Sequence, residues 1–384
     1  MTRNEKLGLI KKYAPILWIH QNDAFLPEDC RVMEEIAKIR TKSSPPKPFK
    51  LDELGDKKYS KDHFMDIPEV KFSDFGVDSE YEGPELGPEG VSAHMREKFG
   101  NNKVLYPKAR KSYESTPKYH GRVDKISITD LDDSESKRIR AVDKEVFGNY
   151  LVIQYYFFFV FNDSWNQHIG DWDSTLELFI REDENKAYAI FYMHNVTWMA
   201  KFNGGYKKLG TWIADWRKVG TQKRMGSCFQ YETHPFVFVA NGAHGGYPTP
   251  GFSLHGPKIF GYSVLGQTDC REIGKLCIFP NNDPAKKEKI IEILKEADIK
   301  TDKTEFLPWK EPTLLDDQPW LKYKGLWGTE SEYEGWSGPT GPSHKSCWRM
   351  DQRRFKKAFL QAIKGDYSGK WLYNIHLNWH GWKK

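Results

Sequence analysis

Leu151-Val152-Ile153-Gln154-Tyr155-Tyr156-Phe157-Phe158-Phe159-Val160-Phe161 is the stretch whose reading decides the fold. Gln154 is its one polar side chain, and the rest are β-branched, aromatic or leucine. A strand wetted on one side alternates apolar and polar residues; this one does not, and so suits a strand buried on both faces. Its purely apolar part, Tyr155 to Phe161, is far too short to cross a bilayer as a helix, which takes ~20 residues. Downstream, Thr175 to Ile180 and Ala187 to His194 read as two further strands. The polar link Asp183-Glu184-Asn185-Lys186 makes them a hairpin. Phe236 to Ala240 and Ile259 to Val264 continue the pattern. Strands follow one another without βαβ alternation, which predicts an antiparallel sandwich.

The flanks add helices and loops. Residues 4 to 13 place Leu7, Leu9 and Ile10 on the buried side of a short helix, and Pro15 ends it. Ile16 to His20 is then a strand. Residues 41 to 150 hold Ser43-Ser44-Pro45-Pro46 and a Gly/Pro/Glu stretch from Glu82 to Gly90, and they read as long loops with small helices wrapped on the core. Asp283-Pro284 is an N-cap followed by proline at the first helical position. Ile290, Ile293, Leu294 and Ala297 form the stripe of the helix it opens. A second helix is expected from about Asp351, burying Phe355, Ala358, Phe359, Ala362 and Ile363 and stopping at Gly365. Trp371 to Leu377 would be a last strand. The expected fold is mainly β: an antiparallel β-sandwich with peripheral helices and long loops. It would form one domain over residues 1–384. The core would span about 148–265, completed by the N-terminal strand 15–20 and the C-terminal segment 318–380.

Composition narrows the function classes. The chain has 384 residues, with 58 Lys and Arg against 53 Asp and Glu, a net charge of +5. That balance argues against a dedicated nucleic-acid binder. A hydrophobic content of 39% with 29% charged residues excludes a membrane-embedded and a disordered chain alike. Aromatics reach 15%, and such residues favour strands and line apolar or sugar-binding pockets. The N-terminus shows no apolar secretory core. The cysteines Cys30, Cys228, Cys270, Cys277 and Cys347 are odd in number, with no CxxC pair, which argues against a zinc finger and a disulfide framework. A reducing, cytoplasmic setting is expected, with a secreted form trimmed of its signal as the alternative. The basic stretch Lys103 to Lys125 reads as a solvated face rather than an anion-binding surface. Signatures of serine hydrolases, P-loops and HExxH metalloproteases are absent from the sequence.

Three features could carry chemistry. In His168-Ile169-Gly170-Asp171-Trp172-Asp173 the two aspartates share a strand face, and His168 can fold over the same point from the preceding loop. Two carboxylates and an imidazole converging would bind a divalent cation; Asn162 and Asp163 could add oxygens. An inert, solvated Asp-rich turn is the competing reading. The second feature is the loop Ala240-Asn241-Gly242-Ala243-His244-Gly245-Gly246-Tyr247-Pro248. Its small residues let a ligand approach the backbone and are expected to leave His244 exposed, contributing little to the core. The third is His194, at the end of the strand that pairs with the aspartate strand.

Four motifs resemble one family. Tyr13-Ala14-Pro15-Ile16-Leu17-Trp18-Ile19-His20 with Phe25-Leu26-Pro27 resembles the opening of proteins described as vacuolar protein sorting-associated protein 62. His168-x-Gly170-Asp171-Trp172 is similar to that family's His-x-Gly-Asp-Trp-Glu box, and Ala240 to Pro248 to its Ala-x-Gly-Ser-His-Ala-x-Tyr-Pro loop. Trp320-Leu321-x-Tyr323-x-Gly325-x-Trp327-Gly328, then Gly338-Pro339-Thr340, resembles its C-terminal signature. Asp173 stands where the family has Glu, and Ala243 where it has Ser. The box is also similar, more distantly, to the Gly-His-x-His-Asp-Trp-Glu heptad of the necrosis- and ethylene-inducing peptide-like toxins. In those β-sandwiches the corresponding His, Asp and Glu surround a cation that engages a sphingolipid headgroup.

Together these readings predict a metal-dependent hydrolase or lyase acting on an ester or phosphodiester. Its cation ligands would be His168, Asp171 and Asp173, with His244 and His194 catalytic and Asp163, Trp172 and Tyr247 touching substrate. The cation would be Ca²⁺ or Mg²⁺ if carboxylates dominate, and Zn²⁺, Mn²⁺ or Fe²⁺ if histidines do. The competing class is a non-catalytic module, similar to a cytolysin, that binds a lipid or sugar headgroup at a membrane surface through the same cation. Nucleic acid is not an expected partner.

Overall fold

A computed structural model describes residues 1–19, 25–56, 58–67, 117–128, 148–162, 168–181, 187–194, 197–202, 230–239, 244–247, 258–259, 262–263, 276–280, 283–296, 304–328, 338–344 and 348. The helix expected from Asp351, the strand Trp371 to Leu377, Asp163 and His20 lie outside these residues.

The chain is strand-rich. From the N-terminus its strands are β1 (Ile16–Ile19), β2 (Lys38–Arg40), β3 (Phe64–Asp66), β4 (His120–Ile128), β5 (Gly148–Asn162), β6 (His168–Arg181), β7 (Ala187–His194) and β8 (Thr197–Phe202). There follow β9 (Gln230–Tyr231), β10 (His234–Val239), β11 (Gly246–Tyr247), β12 (Lys258–Ile259), β13 (Tyr262–Ser263), β14 (Leu276–Phe279), β15 (Glu305–Pro308) and β16 (Thr313–Leu314). The helices are α1 (Arg3–Lys12), α2 (Met33–Ile36) and α3 (Pro284–Glu296). Thr2 and Glu5 close α1 with a reciprocal capping box, the Glu5 amide donating to Thr2 Oγ1 over 3.3 Å and the Thr2 amide to Glu5 Oε2 over 2.7 Å.

Two sheets carry the fold. In the first the order is β11-β10-β1-β14-β15, with β9 also on β10. Its residues alternate between two buried environments: Leu17, Ile19, Val237, Val239 and Ile278 enter the main core. Ile16, Trp18, Phe236, Phe238 and Phe279 enter a second cluster, with Ile290 and Leu294 of α3. Both faces being covered explains why these strands carry no polar alternation. In the second sheet the order is β16-β4-β5-β6-β7-β8. β5 is buried almost throughout, as its sequence predicts, and its register with β6 runs from Tyr150↔Arg181 to Asn162↔His168.

Pairing is not purely antiparallel as expected. β1–β10, β14–β15 and β16–β4 are parallel. β1–β10 and β16–β4 join segments far apart in the chain, while β14 and β15 flank α3 as a parallel β-α-β crossover not expected from the sequence. The stretch 41–150 also holds more regular structure than loops: β4 is nine residues long and pairs with β5 along its whole length. Its polar positions obscure it, because Arg122 is ion-paired with Asp124 at 2.6 Å and Asp316 at 3.2 Å and lies over the Trp348 ring. The described end of the basic stretch is thus partly neutralised. Ile259 to Val264, read as one strand, does not run straight: Ile259 pairs antiparallel with Tyr262, and Lys258 with Ser263. Among the described residues no helix is long and apolar enough to cross a membrane.

Candidate functional site

His168 begins β6, Asp171 follows within it, and His244 lies two residues before β11 of the other sheet. The structure brings them together. His244 Nδ1 lies 3.1 Å from Asp171 Oδ2, and His168 Nε2 lies 3.7 Å from Asp171 Oδ1. Asn162 Nδ2 donates to the same Oδ2 over 3.3 Å. The His168, Asp171 and His244 side chains are 8%, 5% and 0% exposed. Burial by itself would raise the Asp171 carboxyl, but the two neighbouring imidazoles outweigh it and hold the group below the ordinary carboxylate range.

His244 is not the exposed loop residue the sequence suggests. It is fully buried, its ring stacked on Phe159 with centroids 3.8 Å apart. Phe159 pairs with Asp171 across the β5–β6 ladder, so the Phe159 ring and the Asp171 carboxylate together receive the imidazole. The His244 backbone sits at φ 53°, in the left-handed region that side chains rarely occupy. Such a conformation persists only where the surroundings enforce it.

The box is held from behind by the C-terminal segment. Gly170 has φ +74°, and a Cβ there would lie 1.9 Å from the Trp327 carbonyl oxygen. A Cβ at Gly328 would lie 2.0 Å from the Ile169 carbonyl oxygen. The Trp327 amide in turn donates to the Pro339 carbonyl over 2.8 Å. The box, the Trp327-Gly328 pair and the Gly338-Pro339 turn therefore meet as one backbone-to-backbone contact, which explains their glycines.

Other expected site residues fall elsewhere. Trp172, expected at substrate, is fully buried among Phe158, Trp320 and Trp327, with ring centroids 4.9–5.6 Å away. Strand alternation is the reason: it points away from Asp171. The Asp173 backbone pairs with Phe157, His194 with Thr197 and Tyr247 with Phe238; the side chains of these three lie outside what the structure describes.

A second group of donors was not foreseen. Asp29, Cys30 and His120 bring one ligand atom each to within 4.8 Å of one another. The box is looser, since its two imidazoles address separate oxygens of Asp171. Asp29 and Cys30 are adjacent, but His120 lies far along the chain, so no spacing motif announced the group. His120 is fully buried, and burial pushes its imidazole down to about 4 against the pull of the Asp29 carboxylate.

Compared with protein-family models, curated proteins and solved structures, the chain matches none. The chemistry of both groups rests on their own geometry.

Proposed function

We propose that the protein is a metal-dependent hydrolase acting on an ester or phosphodiester, with its cation held by His168, Asp171 and His244. One observation carries the reading. His244, remote from Asp171 in sequence, is fixed in a strained backbone conformation 3.1 Å from its carboxylate, with His168 on the other oxygen. Ligands ~2.1 Å from a shared cation stand roughly 3.0–3.4 Å apart in octahedral to tetrahedral geometry. The two imidazoles stand 3.1 and 3.7 Å from separate oxygens of Asp171, so a cation would have to draw the three donors together to reach that spacing. Two imidazoles with one carboxylate favour Zn²⁺, Mn²⁺ or Fe²⁺ over Ca²⁺ or Mg²⁺, and are a donor set of catalytic zinc sites. The resemblance of the box to the vacuolar protein sorting-associated protein 62 motif, and a reading of the two sheets as a sandwich closing over it, support a site at this place; the reaction class rests on the donor set.

When bound, the cation would polarise a substrate oxygen or lower the pKa of a water. Asn162 orients the carboxylate by its hydrogen bond. The Phe159 ring holds the His244 imidazole in one plane and keeps water from it. The test is a calorimetric titration of chelated protein with Zn²⁺ and Mn²⁺, beside a screen of aryl esters and aryl phosphodiesters. Binding and turnover in the wild type, both lost in Asp171→Asn, are expected. Cation-dependent sedimentation with liposomes and no turnover would favour the headgroup-binding class instead. No difference between wild type and Asp171→Asn would refute the site.

A further inference from the structure

We propose that Asp29, Cys30 and His120 form a separate binding site for a thiophilic divalent metal ion of the zinc class. All three donor atoms lie within 4.8 Å of one another, and His120 Nε2 is 3.9 Å from Asp29 Oδ1. Carboxylate, thiolate and imidazole around one tetrahedral zinc stand roughly 3.4–3.6 Å apart, so a small closure of the side chains completes the set.

An independent observation points to a missing ligand. His120 is fully buried, and neither ring nitrogen makes a hydrogen bond of good geometry, its polar neighbours being the Tyr156 backbone and, at 3.9 Å from Nε2, Asp29 Oδ1. A buried polar group left unsatisfied costs about 1–3 kcal/mol, and native structures rarely keep one without a reason. A cation on Nε2 supplies that partner.

The surroundings are prepared. Asp29 caps the short 3-10 turn Cys30–Val32, with the Arg31 amide donating to its Oδ1 over 3.1 Å. The preceding loop is tied down on both sides: the Lys118 amide, just before β4, donates to the Pro27 carbonyl, and the Glu28 amide donates to the Phe158 carbonyl of β5. His120 begins β4, and its ring meets the edge of Trp172 at 4.9 Å. The Lys118 ammonium holds Asp29 Oδ2 at 2.5 Å, leaving Oδ1 turned toward His120. Asp29 is 30% exposed while the other two donors are buried, so the fourth coordination position faces solvent through Asp29. On binding, the Cys30 thiol loses its proton to water and the sulfur–metal bond replaces the S–H bond. A cysteine nucleophile is the poorer reading, because Cys30 is 1% exposed and burial holds its thiol protonated.

The test uses the full chain, stripped with chelator under reducing conditions and titrated with Co²⁺ as the optical probe. A thiolate-to-cobalt charge-transfer band is expected in the wild type and in Asp171→Asn, and absent in Cys30→Ser. X-ray absorption of the zinc-loaded wild type should show one sulfur at ~2.3 Å, a measurement that does not depend on any variant folding. No charge-transfer band in the wild type, a band that survives in Cys30→Ser, or a zinc shell of nitrogen and oxygen alone would each overturn the site. Loss of the band in Asp171→Asn would overturn its separateness from the box.

Discussion

Gly170→Ala should destabilise the protein far more than an ordinary surface change. The added Cβ would sit 1.9 Å from the Trp327 carbonyl oxygen, where real contacts stay at or beyond 3.0 Å. Something must therefore move by about 1 Å. The obstacle is backbone, and it cannot yield cheaply, because the Trp327 amide is bonded to Pro339 and its ring is fully buried against Trp172 and Trp320. The left-handed φ of +74° adds about 1–2 kcal/mol for any side chain, and overpacking adds roughly 1–3 kcal/mol. The sum, about 2–5 kcal/mol, is a large part of the ~5–15 kcal/mol that holds a typical domain folded. Gly8→Ala is the matched control. It lies inside α1 with nothing within 4 Å of a new Cβ, and should gain about 0.5–1 kcal/mol from the lower entropy of the unfolded chain. Urea unfolding, followed by far-ultraviolet circular dichroism and tryptophan fluorescence, measures both. If Gly8→Ala moves as expected while Gly170→Ala stays within about 1 kcal/mol of wild type, the contact between box and C-terminal segment is not as described.

Further outcomes follow from the same contacts. His244→Ala removes a hydrogen bond to a carboxylate and a ring stack, together roughly 2–4 kcal/mol; an unchanged urea midpoint would show that His244 is not packed on Phe159. Trp172→Phe should keep cation binding at the box while losing roughly 1–3 kcal/mol to the cavity it leaves, and loss of calorimetric binding at full folding would return Trp172 to the site. In chelated protein, His120 gains its proton near 6.5 when unfolded but only at about 4 when folded. The unfolded state binds more protons between those values, so stability is full above pH ~7 and falls by up to about 3 kcal/mol as the pH drops to ~4. His234, lowered by burial, adds in the same direction. His120→Phe should flatten part of the slope, and urea midpoints equal at pH 7 and pH 5 would refute the buried neutral imidazoles.

What the sequence by itself determined is local. The apolar run of β5, broken only at Gln154, the Asp283-Pro284 start of α3, and the reversal between β6 and β7 were legible because periodicity, caps and turns act over a few neighbouring residues. The site was half legible. His168 and Asp171 share one short motif, and His244 stood out on its loop, yet nothing local could show the loop packed rather than exposed. Bringing His244 to Asp171, setting Cys30 beside His120 and turning Trp172 into the aromatic core depend on which strands stack over which. Burying apolar area from both sheets at once selects that arrangement, a non-directional drive that leaves no spacing signature in the chain. The polar face of β4 hid a strand for the same reason, since the partners of Arg122 come from Asp316 and Trp348, far along the sequence. Tertiary packing alone decided the parallel pairings β1–β10 and β16–β4, because a direction set between remote segments is encoded in no turn between them, whereas β14–β15 is a crossover through α3.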